Sequence, residues 1–208
     1  MKAFKALAAI FLLTSTLLGQ RVITTIAGAD WLFPGDGRKA TDAPLSGTSG
    51  MDIAMDAKGN LFIADADNFM AMKVGADGIL NVVAGNGVRF QAGDGGPAVN
   101  AALFLPTSIA VDAQGNLYVG EYGGTIRKIS TNGTIDTIAG TGITGFSGDG
   151  GPARSAALGR PYGLAVDAAG NLYMSDMDNN RIRKISTSGI ITTVAGNGTN
   201  GPSQNNVP

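Results

Sequence analysis

One short passage of sequence is written three times along this chain. Pro161–Gly196 reads PYGLAVDAAGNLYMSDMDNNRIRKISTSGIITTVAG, Pro106–Gly140 reads PTSIAVDAQGNLYVGEYGGTIRKISTNGTIDTIAG, and Met51–Gly85 reads MDIAMDAKGNLFIADADNFMAMKVGADGILNVVAG. A Gly-Asn-Leu-aromatic landmark begins at Gly59, Gly115 and Gly170, 56 and 55 residues apart. An Ala-Gly landmark ends at Gly28, Gly85, Gly140 and Gly196. A fixed period of this length restricts the fold to a stack of one supersecondary unit, because a single unit cannot bury its apolar face alone.

Each unit parses into four short strands. In the third, GLAVD (163–167), LYMSD (172–176), RIRKIS (181–186) and IITTVA (190–195) are runs of apolar and β-branched residues. Each is stopped by Gly, Asn, Asp or Ser, the residues that make hairpin turns. No stretch after the first twenty residues sustains the i, i+3, i+4, i+7 spacing of an amphipathic helix. The expectation is an all-β chain of four-stranded antiparallel sheets repeated as propeller blades, with units at about 47–85, 105–140 and 161–196.

The pattern P-x-G-hydrophobic-A-V-D-x-x-G-N-hydrophobic-Y-x-x-D-x-x-N-x-R-hydrophobic-x-K resembles the NHL repeat, a β-propeller family. Pro161, Gly163, Ala165, Val166, Asp167, Gly170, Asn171, Tyr173, Asp176, Asn179, Arg181 and Lys184 carry the match. The second unit departs at Glu121, where the third has Asp176, and the first has Met70 and Met72 in place of Arg181 and Arg183. The resemblance implies architecture more than activity, since a fold of this kind hosts many functions. NHL propellers are mostly interaction platforms, and a minority of related propellers are enzymes.

Met1–Gln20, MKAFKALAAIFLLTSTLLGQ, has Lys2 and Lys5 before an apolar run too short to span a bilayer comfortably, and so reads as a secretory signal peptide. The implied location is secreted or periplasmic, without membrane contact after cleavage. The chain has no Cys, so neither lipidation nor a disulfide holds it and packing must supply stability. The formal charge of −1 becomes −3 without Lys2 and Lys5, which with no basic cluster argues against nucleic acid as partner. Zero His removes the usual metal ligand and the usual general base at neutral pH, setting aside propeller lyases that bind metal through histidine.

Arg21–Gly28, RVITTIAG, matches the last strand of a unit without the three before it. Such an N-terminal closing-type strand seals a propeller ring by pairing into its last blade, removing an edge that templates aggregation. Three complete blades plus this strand make an incomplete or half propeller, since closed rings use four to eight blades. Two expectations follow: a piece of a longer, six-bladed protein, which is favoured, or a homodimer in which two copies complete one ring.

Long connections separate the units. Two contain GDGGPA (93–98 and 148–153), and the first keeps Gly35-Asp36-Gly37. Strand order places them at the same end of the blades as the turns at Asp65–Asn68, Glu121–Gly124 and Asp176–Asn180, which makes that end the candidate ligand face. Its candidate ligand residues are Asp65, Asp67, Asn68, Asp94, Glu121, Asp149, Asp176, Asp178 and Asn179. Carboxylates there could hold calcium or act as an acid/base pair, but each loop also suits turn building, and Asp176 can pair with Arg181 or Arg183. The alternating charges of RIRKI are expected to lay their aliphatic stems between blades. Asp56, Asp112 and Asp167 recur identically and read as turn-formers.

The leading functional expectation is a secreted, non-catalytic scaffold with no cofactor, binding a protein, glycan or small molecule through the long-loop face. The competing one is a calcium-dependent hydrolase similar to lactonase-like propellers, which would need Glu, Asn and Asp converging from several blades. The inner strands instead offer mainly Ile53, Met55, Ile109, Val111, Leu164 and Val166.

Overall fold

The computed structural model describes residues 33–46 and 49–199. The leader expected over Met1–Gln20 and the strand expected at Arg21–Gly28 lie outside them. Alternating apolar residues become strands wherever a Gly- or Asp-based turn punctuates them, giving three antiparallel sheets. Blade 1 contains β2 (Met51–Met55), β3 (Leu61–Asp65), β4 (Met70–Val74) and β5 (Ile79–Ala84), and β1 (Arg38–Lys39) adds to the outer side of β5. Blade 2 contains β6 (Pro106–Val111), β7 (Leu117–Glu121), β8 (Thr125–Ile129) and β9 (Ile135–Ala139). Blade 3 contains β10 (Pro161–Val166), β11 (Leu172–Asp176), β12 (Arg181–Ile185) and β13 (Ile191–Ala195). The propeller-blade expectation is met.

The turn after each first strand explains the repeated Asp and Gly-Asn. Asp112 Oδ1 accepts the Gln114 and Asn116 amides at 3.0 and 2.8 Å, while Oδ2 accepts Asn116 Nδ2 at 2.8 Å and the Tyr118 hydroxyl at 3.0 Å. Asp56 and Asp167 bond Asn60 and Asn171 in the same way. These residues do build turns. The terminal Ala-Gly is equally local in cause: Gly140 has φ 87°, and a Cβ there would collide with the Gly124 carbonyl.

Blades pack face to face through their inner strands, β2 on β6 and β6 on β10. The first joint buries Ala71, Ala84, Leu103, Ile109, Val119 and Ile135; the second buries Ala110, Ile126, Ala139, Leu158, Met174 and Ile191. Polar bonds fix the register between them. Asp52 accepts the Ile109 amide at 3.0 Å, and Ser108 Oγ donates to the Pro161 carbonyl at 2.6 Å.

The long connections differ from simple face loops. Each folds its Gly-Asp-Gly segment against the outermost strand of the blade it leads into. Gly37, Gly95 and Gly150 donate their amides to the carbonyls of Leu80, Ile135 and Ile191, each at 2.8 Å. Pro97 and Pro152 bridge to Thr134 and Ile190 as β1 pairs with β5. An outer strand carries a row of unpaired amides and carbonyls, and these segments satisfy part of it. Among the described residues, no helix is long and apolar enough to cross a membrane.

Candidate functional site

The acidic residues singled out by sequence fall into three settings. Asp94 and Glu121 sit on either side of Arg127, whose side chain is fully buried on β8. Arg127 Nη2 lies 2.7 Å from Asp94 Oδ1, and Nη1 lies 3.6 Å from Glu121 Oε1. Blade 3 repeats the arrangement: Arg183 on β12 pairs with Asp149 at 2.8 Å and Asp176 at 3.3 Å. A register shift beside Arg127 and beside Arg183 marks a bulge in each strand pair. Of the two pairings open to Asp176, the one with Arg183 forms, and the burial expected for the stems of RIRKI extends to the head group at this middle arginine. Its guanidinium itself is buried, because two carboxylates converge on it.

Burial pushes the Glu121 carboxyl up, against Arg127, the Phe104 amide and the Thr125 hydroxyl. Burial also works to raise Asp94, but the Thr137 amide and hydroxyl and Arg127 outweigh it and hold Asp94 below the ordinary carboxylate range. Asp149 is held low by the same balance of burial against Thr193 and Arg183. Depth of burial explains the contrast: the Glu121 side chain is fully buried, whereas that of Asp94 stays 41% exposed and accepts the Thr137 amide and hydroxyl as well as Arg127.

The carboxylates closing the second-to-third strand turns tie down the long connections. Asp65 accepts the Ser46 amide at 3.0 Å, Glu121 the Phe104 amide at 2.8 Å, and Asp176 the Gly159 amide at 2.7 Å. Asn68 donates to Asp65 at 2.8 Å and Asn179 to Asp176 at 2.7 Å. Asn179 Nδ2 also reaches the Gly145 carbonyl. Asp67 accepts the Ser46 hydroxyl and the Ser49 amide, both at 3.0 Å. Among the described residues, no three His, Cys, Asp or Glu side chains come together as a metal-holding group.

Asp178 has a different setting. It forms a forked ion pair with Arg160, whose Nε lies 2.9 Å from both carboxylate oxygens and whose Nη2 lies 2.5 Å from Oδ1. The hydrogen bond from Arg160 holds the Asp178 carboxyl below its usual range. Arg160 Nη1 donates to the Tyr122 hydroxyl at 3.3 Å, and the guanidinium lies 5.0 Å from the Tyr122 ring centre and 6.0 Å from that of Tyr162. Tyr122 and Tyr162 are 39% and 42% exposed, and Met177, whose amide bonds the Arg160 carbonyl, is 52% exposed. Two aromatic faces with a neutralised arginine between them thus straddle blades 2 and 3, beside the start of inner strand β10.

Sequence reasoning found Asp178 but missed Tyr122, Arg160 and Tyr162. A usable signal existed. The blade-equivalent residues are Met177 for Tyr122, Leu105 for Arg160 and Thr107 for Tyr162, so the cluster sits where the repeat stops repeating.

The family model described as the Teneurin NHL domain matches residues 87–146 and 143–206. Teneurin-1 of Mus musculus is 30% identical over 197 residues, covering 79% of this chain and 7% of that protein. Among solved structures, an auxiliary nutrient binding protein from Bacteroides ovatus superposes with TM-score 0.54 at 20% identity, covering 72% of this chain and 39% of that one. A gluconolactonase from Xanthomonas campestris gives TM-score 0.51 at 16% identity, over 70% of this chain and 47% of that one. These superpositions share the fold.

Proposed function

The chain belongs to the NHL-repeat propeller family of the Teneurin NHL domain, and from that premise we propose that it is an extracytoplasmic, non-catalytic binding module. Its contact surface is the Tyr122–Arg160–Tyr162 cluster, and its partner is a protein. The observation that carries this reading is the pair of half-exposed tyrosine rings held by an arginine that Asp178 has already neutralised. Tyr and Arg dominate binding hot spots because they offer large, pre-ordered contact area. Every other acidic candidate on this side of the blades is bonded to the chain's own amides or arginines, which supports a scaffold rather than an acid/base site. Export follows from the leader-like Met1–Gln20.

The test is selection of the mature chain against a random-peptide display library, with a glycan array in parallel. Enriched peptides should lose at least about tenfold in affinity to a Tyr122→Ala, Tyr162→Ala double variant. Enrichment on the glycan array alone, or peptide binding untouched by the double substitution, overturns the reading. Calcium separates it from a lactonase-like hydrolase. The binding module keeps one Tm with calcium or with chelator, whereas a resident ion raises Tm with concentration.

A further inference from the structure

Among the described residues, three blades carry two joints, and the same joint is half-made at each end of the row. In a completed joint, an Ala-x-x-Ala-Ala-Leu segment inserts beside the third and fourth strands of the preceding blade. Ala98, Ala101 and Leu103 pack with Ala71 and Ala84; Ala153, Ala156 and Leu158 pack with Ile126 and Ala139, all but fully buried. The Gly85 amide donates to the Ala98 carbonyl at 3.0 Å, and the Gly140 amide to the Ala153 carbonyl at 2.9 Å.

Blade 3 carries the receiving half with nothing from the described residues in it. The equivalents of Ile126 and Ala139 are Ile182, which is 38% exposed, and Ala195, which is exposed. They line a slot of about 250 Å³ together with Met177, Asn180 and Gly196. Blade 1 carries the inserting half unspent. Its segment is Ala40, Ala43, Leu45, and Leu45 is 37% exposed where Leu103 and Leu158 are 0%. The correspondence is geometric as well as sequential, because Ser46, Phe104 and Gly159, each following its leucine, all donate their amides to the turn carboxylate of their own blade. On inner strand β2, Ile53 and Met55 are 62% and 66% exposed, while inside a joint Ile109, the counterpart of Ile53, is 2% exposed and Val111, the counterpart of Met55, is half-buried.

We propose that a second copy of this chain docks head to tail through this joint, Leu45 of each copy entering the slot between Ile182 and Ala195 of the other, so that six blades close one ring. The occupant is a second copy because the chain itself carries both complementary halves, and the new contact continues a joint already made twice. Two sets of three blades give a ring within the four to eight that closed propellers use, and head-to-tail contacts that close generate finite assemblies. In the ring, the Gly196 amide meets the carbonyl of Ala40 from the second copy, as Gly140 meets Ala153. This assembly does not rest on the binding role proposed above.

The experiment is light scattering on the mature chain, with circular dichroism on the same sample. The expected mass is twice that of one chain, falling to a single chain in Leu45→Asp with the β-sheet spectrum unchanged. A second readout holds should that variant fail to fold. The chain lacks cysteine, so a Leu45→Cys, Ile182→Cys double variant should form a disulfide-linked dimer on oxidation, and neither single variant should. A monomeric wild type overturns the proposal and leaves the slot to a blade of different origin. A dimer unaffected by Leu45→Asp, or cross-linked by Leu45→Cys alone, overturns it too.

Discussion

At the residue scale, Arg127 and Met72 occupy one position in two blades and satisfy it by opposite means. Met72 packs with Phe33, Ile63, Met70 and Leu80 in an apolar cluster. Arg127 instead gathers Asp94 and Glu121, and its counterpart Arg183 gathers Asp149 and Asp176. Well-packed apolar residues often replace a buried ion network at no net cost, but removing one partner strands a buried charge. Arg127→Met alone should therefore destabilise by about 3–5 kcal/mol in urea unfolding, and adding Glu121→Gln should recover part of that loss. The same carboxylates set the response to acid. Asp94, Asp149 and Asp178 are held below their ordinary range in the folded state, so the unfolded chain takes up protons first as pH falls. Their stabilisation is present above about pH 4 and is lost below it, through the depressed folded values. Glu121, raised, works in the opposite sense and costs stability as pH rises above its ordinary value. Thermal melts should show Tm falling as pH drops below about 4, with a smaller fall in an Asp94→Asn, Asp149→Asn variant.

At the element scale, the blade depends on turns that only certain residues can make. Gly85, Gly140 and Gly196 have φ of 98°, 87° and 84°, and a side chain at Gly140 or Gly196 would strike the carbonyl of Gly124 or Asn180. Gly140→Ala should cost more than about 1 kcal/mol, because strain and collision act together, and urea unfolding would read it. The strands and their punctuation were legible in sequence for this reason: period-two alternation and Asp-x-x-Gly-Asn turns are local. The destination of GDGG was not. Asp94 accepts the Thr137 amide at 3.0 Å across 43 residues of chain, and nothing local names that partner. The segment finds the outer strand because an open edge needs bonding, which is a property of the assembled blade.

At the scale of the whole molecule, the proposed contact surface lies where the repeat departs from itself. Tyr122, Arg160 and Tyr162 come from a turn, a connection and a strand, and they meet only because blade 3 docks on blade 2. Substituting Arg160→Ala should free Asp178 and unsettle both tyrosines, weakening peptide capture without changing the unfolding midpoint much, since the pair is partly solvent-exposed. The order of residues alone dictated a stack of four-stranded blades, because periodicity, turn chemistry and the absence of cysteine are statements about neighbours along the chain. Tertiary structure decided which charges are buried and paired, which tyrosines face outward together, and, among the described residues, that Leu45 and the slot beside Ile182 and Ala195 are exposed at opposite ends of the row. Those depend on contacts between residues far apart in sequence, whose meeting is fixed by how one blade seats on the next.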